Sequence, residues 1–315
     1  MFSNESRGGD RRTPPRFASA AGAVCLLIGL AACGSGTGSA HTGSAGDRVS
    51  ATGDTSAPGT VAPATSTPPG SPTPPGSPTA ETLPLAGKVV ALDPGHNPAN
   101  YRHTAEINRQ VNVGNGHKEC DTTGTETNAG YAEASYTLDV SRRVRSLLIA
   151  RGAKVVLTQN GDRPYGPCVD ERARIGNEAH ADAAVSIHAD GAPAADYGFH
   201  VIAPQSLHEG GADTRAIAGP SLRLATSLRA HFAAATKEPF ADYLGGGKGL
   251  MVRGDLGGLN MSTVPKVFIE CGNMRNARDA KSLTNPAWRQ DAARGIADGL
   301  TAFLESSSDS PGGKG

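Results

Sequence analysis

The sequence predicts an α/β fold in which a mostly parallel sheet is covered by helices on both faces. Short, uninterrupted apolar runs recur between residues 89 and 269, as is typical of strands buried on both faces. Segments with helical periodicity lie between several of these runs. Strands that alternate with helices favour a parallel sheet, because a helix returns the chain for the next parallel strand.

Five strands are predicted, at residues 89–92, 153–158, 183–187, 199–203 and 267–269. The first should end at Asp93-Pro94-Gly95, because proline cannot continue a central ladder and glycine permits a sharp turn. His96, His188 and Glu270 each follow one of these strands. The carboxyl ends of such strands are the places where α/β folds build their sites.

The helices are predicted from apolar periodicity and from their end signals. The predicted starts and ends are Glu133 to Gly152, Asp170 (as the cap) to about His180, Pro220 to Phe232, and a final helix from Pro286. The final helix carries one apolar stripe, formed by Trp288, Ala292, Ile296, Leu300 and Phe303. The polar segment 97–130 has little periodicity, and a segment of this length indicates a functional lid or an insertion.

The N-terminal quarter has the composition of an export signal followed by a tether. Residues 1–33 combine arginines with a short apolar run that ends in Leu30-Ala31-Ala32-Cys33, which resembles a bacterial lipobox. The alternative is a plain signal peptide. Residues 34–84 are rich in Gly, Ser, Thr, Ala and Pro and predict a disordered linker. The folded domain is then expected at 85–305, with a disordered tail at 306–315.

Charge excludes one class of partner. The 315 residues contain 30 Lys and Arg against 30 Asp and Glu, so the chain has no excess of positive charge that would favour binding of nucleic acid. We expect a monomer that is exported to the cell envelope. A lipid on Cys33 would anchor it at the outer face of the cytoplasmic membrane.

Two histidines and a carboxylate form the ligand set of a catalytic zinc ion that keeps one position open. Taken singly, each candidate has an ordinary explanation: Glu133 complements a helix N-terminus, Glu270 ends a strand in solvent, and His188 hydrogen-bonds in place. Taken together they favour a site, because strand ends at one edge of a sheet converge in space.

Four motifs carry a family resemblance: Asp93-Pro94-Gly95-His96, the helix start from Glu133 to Val140, Ser186-Ile187-His188-Ala189, and Ile269-Glu270-Cys271-Gly272-Asn273. In this order they resemble the type 3 N-acetylmuramoyl-L-alanine amidases, zinc enzymes that cut the amide between muramic acid and the peptide stem of peptidoglycan. The resemblance runs from about Gly87 to Leu304 and implies a three-layer αβα sandwich.

The resemblance also implies roles for individual residues. His96, Glu133 and His188 would hold zinc, and Glu270 would be the catalytic base that acts on water. The substrate would be peptidoglycan or its muropeptide fragments. Two alternatives stay open: a non-catalytic wall-binding or regulatory lipoprotein on the same fold, and a zinc peptidase that cuts within the stem peptide.

The remaining cysteines and histidines also carry predictions. We expect a disulfide between Cys120 and Cys168, the alternative being two exposed thiols, whereas Cys271 should stay reduced. Asp93 either orients a metal ligand or belongs to a plain Asp-Pro turn. Four further histidines are expected in loops or at the surface: His103, His117, His200 and His208.

Overall fold

The computed structural model describes residues 83–308. The predicted signal peptide and nearly all of the predicted linker lie outside the described residues. The last helix continues to Ser308, three residues beyond the predicted end of the folded domain.

The described part contains ten strands and seven α-helices. The strands are β1 (Val89–Pro94), β2 (Gln110–Asn112), β3 (His117–Glu119), β4 (Lys154–Leu157), β5 (Ala183–Asp190), β6 (His200–Pro204), β7 (His208–Glu209), β8 (Ala212–Asp213), β9 (Leu250–Arg253) and β10 (Lys266–Asn273). The helices are α1 (Thr104–Ile107), α2 (Glu133–Ala150), α3 (Val169–Glu178), α4 (Arg215–Thr236), α5 (Gly257–Asn260), α6 (Ala277–Thr284) and α7 (Pro286–Ser308).

Six strands form the central sheet in the order β4-β1-β5-β10-β6-β9. The first four are mutually parallel, β6 is antiparallel to β10, and β9 is parallel to β6. The prediction of a mostly parallel sheet is therefore confirmed. Since β1, β5 and β10 are adjacent and parallel, their carboxyl ends lie side by side at one edge.

Helices cover both faces of the sheet, as the α/β prediction requires. Successive side chains of a strand point to opposite faces. Val90 and Leu92 of β1 accordingly join the main core under α2, α4 and α7, whereas Ala91 packs in a smaller cluster on the face of α3. The apolar stripe of α7 lies in the main core, with Ala292, Ile296 and Leu300 fully buried.

Several predicted boundaries are wrong: β5 and β10, for example, continue beyond their predicted ends to Asp190 and Asn273. Three cases have a clear physical reason. Strand β1 continues through Pro94, which pairs with Ile187 of β5. Pro94 is tolerated because its nitrogen does not face β5. The N–H of the next residue, Gly95, donates to the carbonyl oxygen of Ile187 in β5, so the nitrogen of Pro94 faces β4 instead. Strand β4 pairs with β1 only as far as Leu92, so no ladder hydrogen bond is lost. The other two errors concern helix starts. Helix α4 begins five residues before Pro220, because Ile217 extends its buried stripe, and α3 is capped by Cys168 instead of Asp170.

The long polar segment 97–130 is an ordered insertion that contains α1 and the hairpin β2–β3. A disulfide joins Cys120, directly after β3, to Cys168 at the start of α3, which confirms the predicted pairing. Both cysteines are buried, so the alternative of two exposed thiols is wrong. Cys271 is free and buried in β10, also as predicted.

Within residues 83–308 no helix combines the length and the apolar character that a membrane span requires.

The disulfide should contribute strongly to stability. Its cysteines are 48 residues apart, and closing a loop of this size is worth about 4 kcal/mol in the chain-entropy model. We expect the double variant Cys120→Ser/Cys168→Ser to lose a free energy of unfolding of that order in urea denaturation. Wild-type protein unfolded in the presence of reductant is the matched comparison. An unchanged free energy of unfolding in both cases would contradict the prediction.

Candidate metal centre

Three of the predicted site residues meet at the carboxyl edge of the sheet. His96 follows β1, Glu133 is the first residue of α2, and His188 lies near the end of β5. Each offers one ligand atom, and these three atoms lie within 4.8 Å of one another. The structure therefore brings together the residues that were predicted to hold a metal ion.

Glu133 lies between the two histidines. Its Oε2 is 3.1 Å from His96 Nε2, and its Oε1 is 2.9 Å from His188 Nδ1. The two imidazole rings meet edge to face at 5.0 Å. Both histidine side chains are 12 % exposed, so the cluster is accessible from one side only.

The backbone before His96 is shaped by the need to bring two imidazoles together. His96 has φ of 59°, in the left-handed region that non-glycine residues adopt only in special positions. A Cβ at Gly95 would lie 2.3 Å from the His188 ring. Only glycine fits there, so the Gly95-His96 pair is a geometric requirement of the cluster.

Neighbouring polar groups fix the orientation of the three side chains. Glu133 accepts hydrogen bonds from the backbone N–H of Thr125 at 3.0 Å and of Ala189 at 3.2 Å. His96 Nδ1 lies 3.0 Å from the carbonyl oxygen of Thr122. Because Nδ1 of His96 faces Thr122, its Nε2 atom is the one that faces Glu133 and His188.

The electrostatics of the cluster favour a cation. Burial disfavours a charged His96, but Glu133 and Asp121 outweigh it and raise the pKa of His96 to about 10. Burial would raise the pKa of Glu133, but His96 and His188 hold it below its usual range. Burial lowers the pKa of His188, which keeps that imidazole neutral. Two imidazole nitrogens and one carboxylate oxygen are a donor set suited to zinc.

A buried ion network lies beneath the cluster. Asp93 is 2 % exposed, and its carboxylate accepts hydrogen bonds from Arg172 at 2.9 Å and from Lys266 at 2.9 Å. Thr158 and Ser186 donate to the same carboxylate at 2.7 Å and 2.9 Å. Burial alone would raise the pKa of Asp93, yet Lys266 and Arg172 hold it well below its usual range.

Arg172 connects this network to the ligand His96. Its guanidinium donates to the carbonyl oxygens of Pro94 at 2.6 Å and of His96 at 2.9 Å, and to Asp121 at 2.8 Å. Asp121 in turn lies 3.5 Å from His96 Nδ1. Asp93 is thus not part of a plain turn: through Arg172 it holds the backbone and the ring of His96.

Glu270 lies one strand away from His188. The two residues pair in register between β10 and β5, so their side chains share one face of the sheet. Burial, followed by the charges of Glu133 and Asp190, raises the pKa of Glu270 well above its ordinary value. Its Oε2 is buried and has no hydrogen-bond partner among residues 83–308. A carboxyl group in this state is suited to accept a proton at neutral pH.

A cavity of about 300 Å³ opens beside His96 and His188. Phe268, which stacks on the His188 ring at 4.4 Å, forms part of its wall, together with Val169 and the segment from Leu256 to Gly258. Lys118 and Glu119 of the β2–β3 hairpin also line it. The insertion at 97–130 therefore contributes to the walls of the site.

Of the four histidines predicted to lie in loops or at the surface, three lie away from the core and one does not. His103 is half-buried, and His117 and His208 are exposed. His200 is only 2 % exposed and begins β6, so its placement in a loop or at the surface is wrong. Arg172 and Lys266 were not predicted as part of the site, because nothing in the amino-acid sequence marks either charged residue as buried.

With this geometry in view, the chain can be compared with known proteins. The pattern of the N-acetylmuramoyl-L-alanine amidase family matches residues 90–302, which is most of the described domain. The chain belongs to this family. The enzymatic prediction is thereby confirmed: the protein is a cell-wall hydrolase of the amidase class, and the substrates of such amidases are peptidoglycan fragments.

Individual relatives agree with this assignment. The amidase Rv3717 of Mycobacterium tuberculosis is 41 % identical over 222 residues, which covers 70 % of this chain and 88 % of that protein. The structure of the amidase Ami1 of Mycobacterium smegmatis is 43 % identical with a TM-score of 0.65 and covers 70 % of this chain and 99 % of the other. Apo Ami1 of Mycobacterium abscessus is 41 % identical with a TM-score of 0.64 and covers 70 % and 100 %.

The ion network gives a stability prediction. Asp93→Asn leaves Arg172 and Lys266 with an incompletely compensated buried charge, which typically costs about 3–5 kcal/mol. We expect a loss of this order in urea denaturation, and partial recovery when Lys266→Met is added. Asp139→Asn is the control, because that carboxylate also has two cationic partners, Arg143 and Arg289, but is 35 % exposed, so its loss should cost about 1 kcal/mol or less. Equal effects at both positions would contradict the prediction.

Proposed function

We propose that the enzyme hydrolyses the amide bond between the lactyl group of N-acetylmuramic acid and the L-alanine of the peptide stem, with zinc held by His96, Glu133 and His188. Glu270 is the general base. The observation that supports this proposal is the convergence of the three ligand atoms within 4.8 Å, with Glu270 paired beside His188, in a chain of the amidase family.

A zinc ion at this position would act as a Lewis acid on the scissile carbonyl and would lower the pKa of a bound water molecule towards neutrality. His96 and His188 would supply neutral nitrogen ligands, and Glu133 a negative charge. The contacts of Glu133 to the backbone of Thr125 and Ala189 keep its carboxylate in place when a cation replaces the proton shared with the histidines.

Glu270 handles the proton of the reaction. Its carboxylate takes a proton from the attacking water as the oxygen bonds to the lactyl carbonyl carbon. The same proton is then returned to the nitrogen of L-alanine as the C–N bond breaks. The products are a lactyl carboxylic acid and a peptide with a free α-amine. The buried position of Glu270 and its raised pKa suit it for both halves of this transfer.

The cavity beside the histidines is a suitable place for substrate groups next to the scissile bond. Its volume of about 300 Å³ lies at the lower end of the range for small-molecule sites. Its wall combines apolar surface from Phe268 and Leu256 with the charged side chains of Lys118 and Glu119. A muropeptide, with apolar methyl groups and polar amides, has matching chemistry.

Mass spectrometry of muropeptides digested by the purified domain tests the bond that is cut. We expect fragments with a free lactyl carboxylate, paired with peptides that begin at L-alanine. Fragments cut between residues of the stem would instead identify a zinc peptidase, and the proposal would fail.

The two glutamates should separate in a mutational test. Glu133→Ala removes a ligand oxygen, so zinc occupancy should fall. Glu270→Gln keeps the volume of the side chain but cannot accept a proton, so it should retain zinc and lose about 10²–10⁴-fold in kcat. Metal analysis and a muropeptide assay are carried out on both variants. Loss of zinc from Glu270→Gln with retention in Glu133→Ala would reverse the assignment, and full activity of Glu270→Gln would refute it.

The N-terminal residues carry a separate proposal about location. We infer that residues 1–33 are a lipoprotein signal, that Cys33 carries a lipid, and that 34–84 tether the catalytic domain at the outer face of the cytoplasmic membrane. This proposal rests on the Leu30-to-Cys33 sequence and on the composition of the linker.

Cys33→Ser tests the anchor. We expect the full-length variant to leave the membrane fraction, because the acylated thioether is lost, while the rate of muropeptide hydrolysis stays at the wild-type level. Fractionation of cells that express each form, with immunodetection of the catalytic domain, gives the result. A variant that still sediments with membranes would show that the match to a lipobox is accidental.

A further inference from the structure

His200 is a buried histidine to which neither the predicted metal set nor the proposed mechanism gives a role. It is 2 % exposed at the start of β6. Its Nδ1 atom is buried and has no hydrogen-bond partner within the described part of the chain. Leaving a buried polar atom unpaired is costly, so an imidazole in this position calls for a partner.

The sheet places His200 directly beside Glu270. Glu270 of β10 pairs with His188 of β5 on one side and with His200 of β6 on the other. Residues opposite each other on neighbouring strands have their Cβ atoms about 4.5–5.5 Å apart on the same face. The three side chains therefore form one row, with Glu270 between the two histidines.

Two unpaired buried atoms thus occur in neighbouring positions of this row. Glu270 Oε2 lacks a partner among residues 83–308, and so does His200 Nδ1. One is a carboxyl oxygen, which accepts hydrogen bonds, and the other is an imidazole nitrogen, which donates when it carries the proton. The structure has no direct hydrogen bond between the two atoms, so one intervening water molecule is the partner that would satisfy both.

The His200 ring also contacts Tyr243, which is hydrogen-bonded to Asp190. The Tyr243 ring meets the imidazole edge to face at 6.1 Å. The Tyr243 hydroxyl donates a 2.8 Å hydrogen bond to Asp190, at the end of β5. This contact fixes the tyrosine, and the tyrosine in turn limits the positions open to the His200 ring.

We propose that His200 is a positioning residue for Glu270: its Nδ1–H donates to Glu270 Oε2 through one water molecule and orients the carboxylate towards the attacking water. This inference rests on the proposed role of Glu270 as general base. Positioning of this kind matters because a proton acceptor must lie within hydrogen-bond reach of its target.

A neutral imidazole is well suited to this task. Burial lowers the pKa of His200 to about 4, with Asp190 acting in the opposite direction and Arg253 adding to the effect. The ring therefore stays uncharged at neutral pH. A cation beside Glu270 would stabilise its carboxylate and weaken it as a base, whereas a neutral donor orients it with a much smaller change in basicity.

Three substitutions at His200 separate the role of Nδ1 from that of the ring as a whole. His200→Asn places an amide close to the position of Nδ1, His200→Gln places one close to that of Nε2, and His200→Leu fills a similar volume without polar atoms. We expect kcat to fall about ten- to a hundredfold in the Leu and Gln variants, as for the loss of a hydrogen bond to a charged group. His200→Asn should keep kcat within about threefold of the wild type.

KM, zinc content and NMR distinguish a positioning role of His200 from a purely structural one. KM and zinc content should stay near their wild-type values in all three variants, because His200 contacts neither the metal ligands nor the substrate in this proposal. In the ¹⁵N-labelled, metal-free wild-type protein, NMR should place the His200 proton on Nδ1. The His200 Nδ1 resonance should shift in the Glu270→Gln variant. In the activity measurements the same variant is the reference for loss of the general base.

The outcomes distinguish this inference from the proposed function. Full activity of His200→Leu, or equal losses in the Asn and Leu variants, overturns the role of His200 while an inactive Glu270→Gln leaves the proposed mechanism intact. Full activity of Glu270→Gln instead refutes the mechanism itself. If His200→Leu does not fold, the NMR experiment decides, because a proton located on Nε2 in the wild type contradicts the proposal.

Discussion

The ion network around Asp93 is the interaction on which the site depends. Four charged side chains are buried together beneath the ligands, two carboxylates (Asp93 and Asp121) and two cations (Arg172 and Lys266). Their charges balance, and each carboxylate has a close cationic partner. Because removal of one member leaves the others uncompensated, the four side chains hold one another in a single arrangement.

This arrangement determines where His96 lies. Arg172, on α3, donates to the carbonyl oxygens of Pro94 and His96, which fixes the chain after β1. Lys266, at the start of β10, donates a hydrogen bond to the carboxylate of Asp93 in β1. This bond links β10, which carries Glu270, to β1, which precedes His96. Helix α3, strands β1 and β10 and the insertion at 97–130 therefore meet at one point. The protein itself therefore fixes the positions of the proposed metal ligands.

Much of the site could be predicted from the sequence, because parallel strands bring their carboxyl ends together. Apolar runs followed by His96, His188 and Glu270 were enough to place three side chains at one edge. Glu133 was different. It begins a helix, and the direction from which that helix approaches the sheet depends on packing along its whole length, so its role came from the family resemblance and not from periodicity.

Other features were hidden because they depend on tertiary contacts. Lys266 and Arg172 look like ordinary polar residues, since their burial is made possible only by carboxylates distant in sequence. The edge strand β9 has a short apolar run, from Leu250 to Val252, but the run follows a glycine-rich stretch and exposes Val252, so it was not predicted as a strand. His200 lies within the predicted strand 199–203, and only the register with Glu270 shows that it faces the site.

Anomalous X-ray diffraction at the zinc absorption edge, from crystals of the purified enzyme, tests the central claim most directly. We expect one anomalous peak, from an ion bound by His96 Nε2, His188 and Glu133. Arg172 should still contact the carbonyl oxygen of His96, and Glu270 should lie close to the ion without binding it. A peak at another cluster, or Glu270 in place of Glu133 among the ligands, would contradict it.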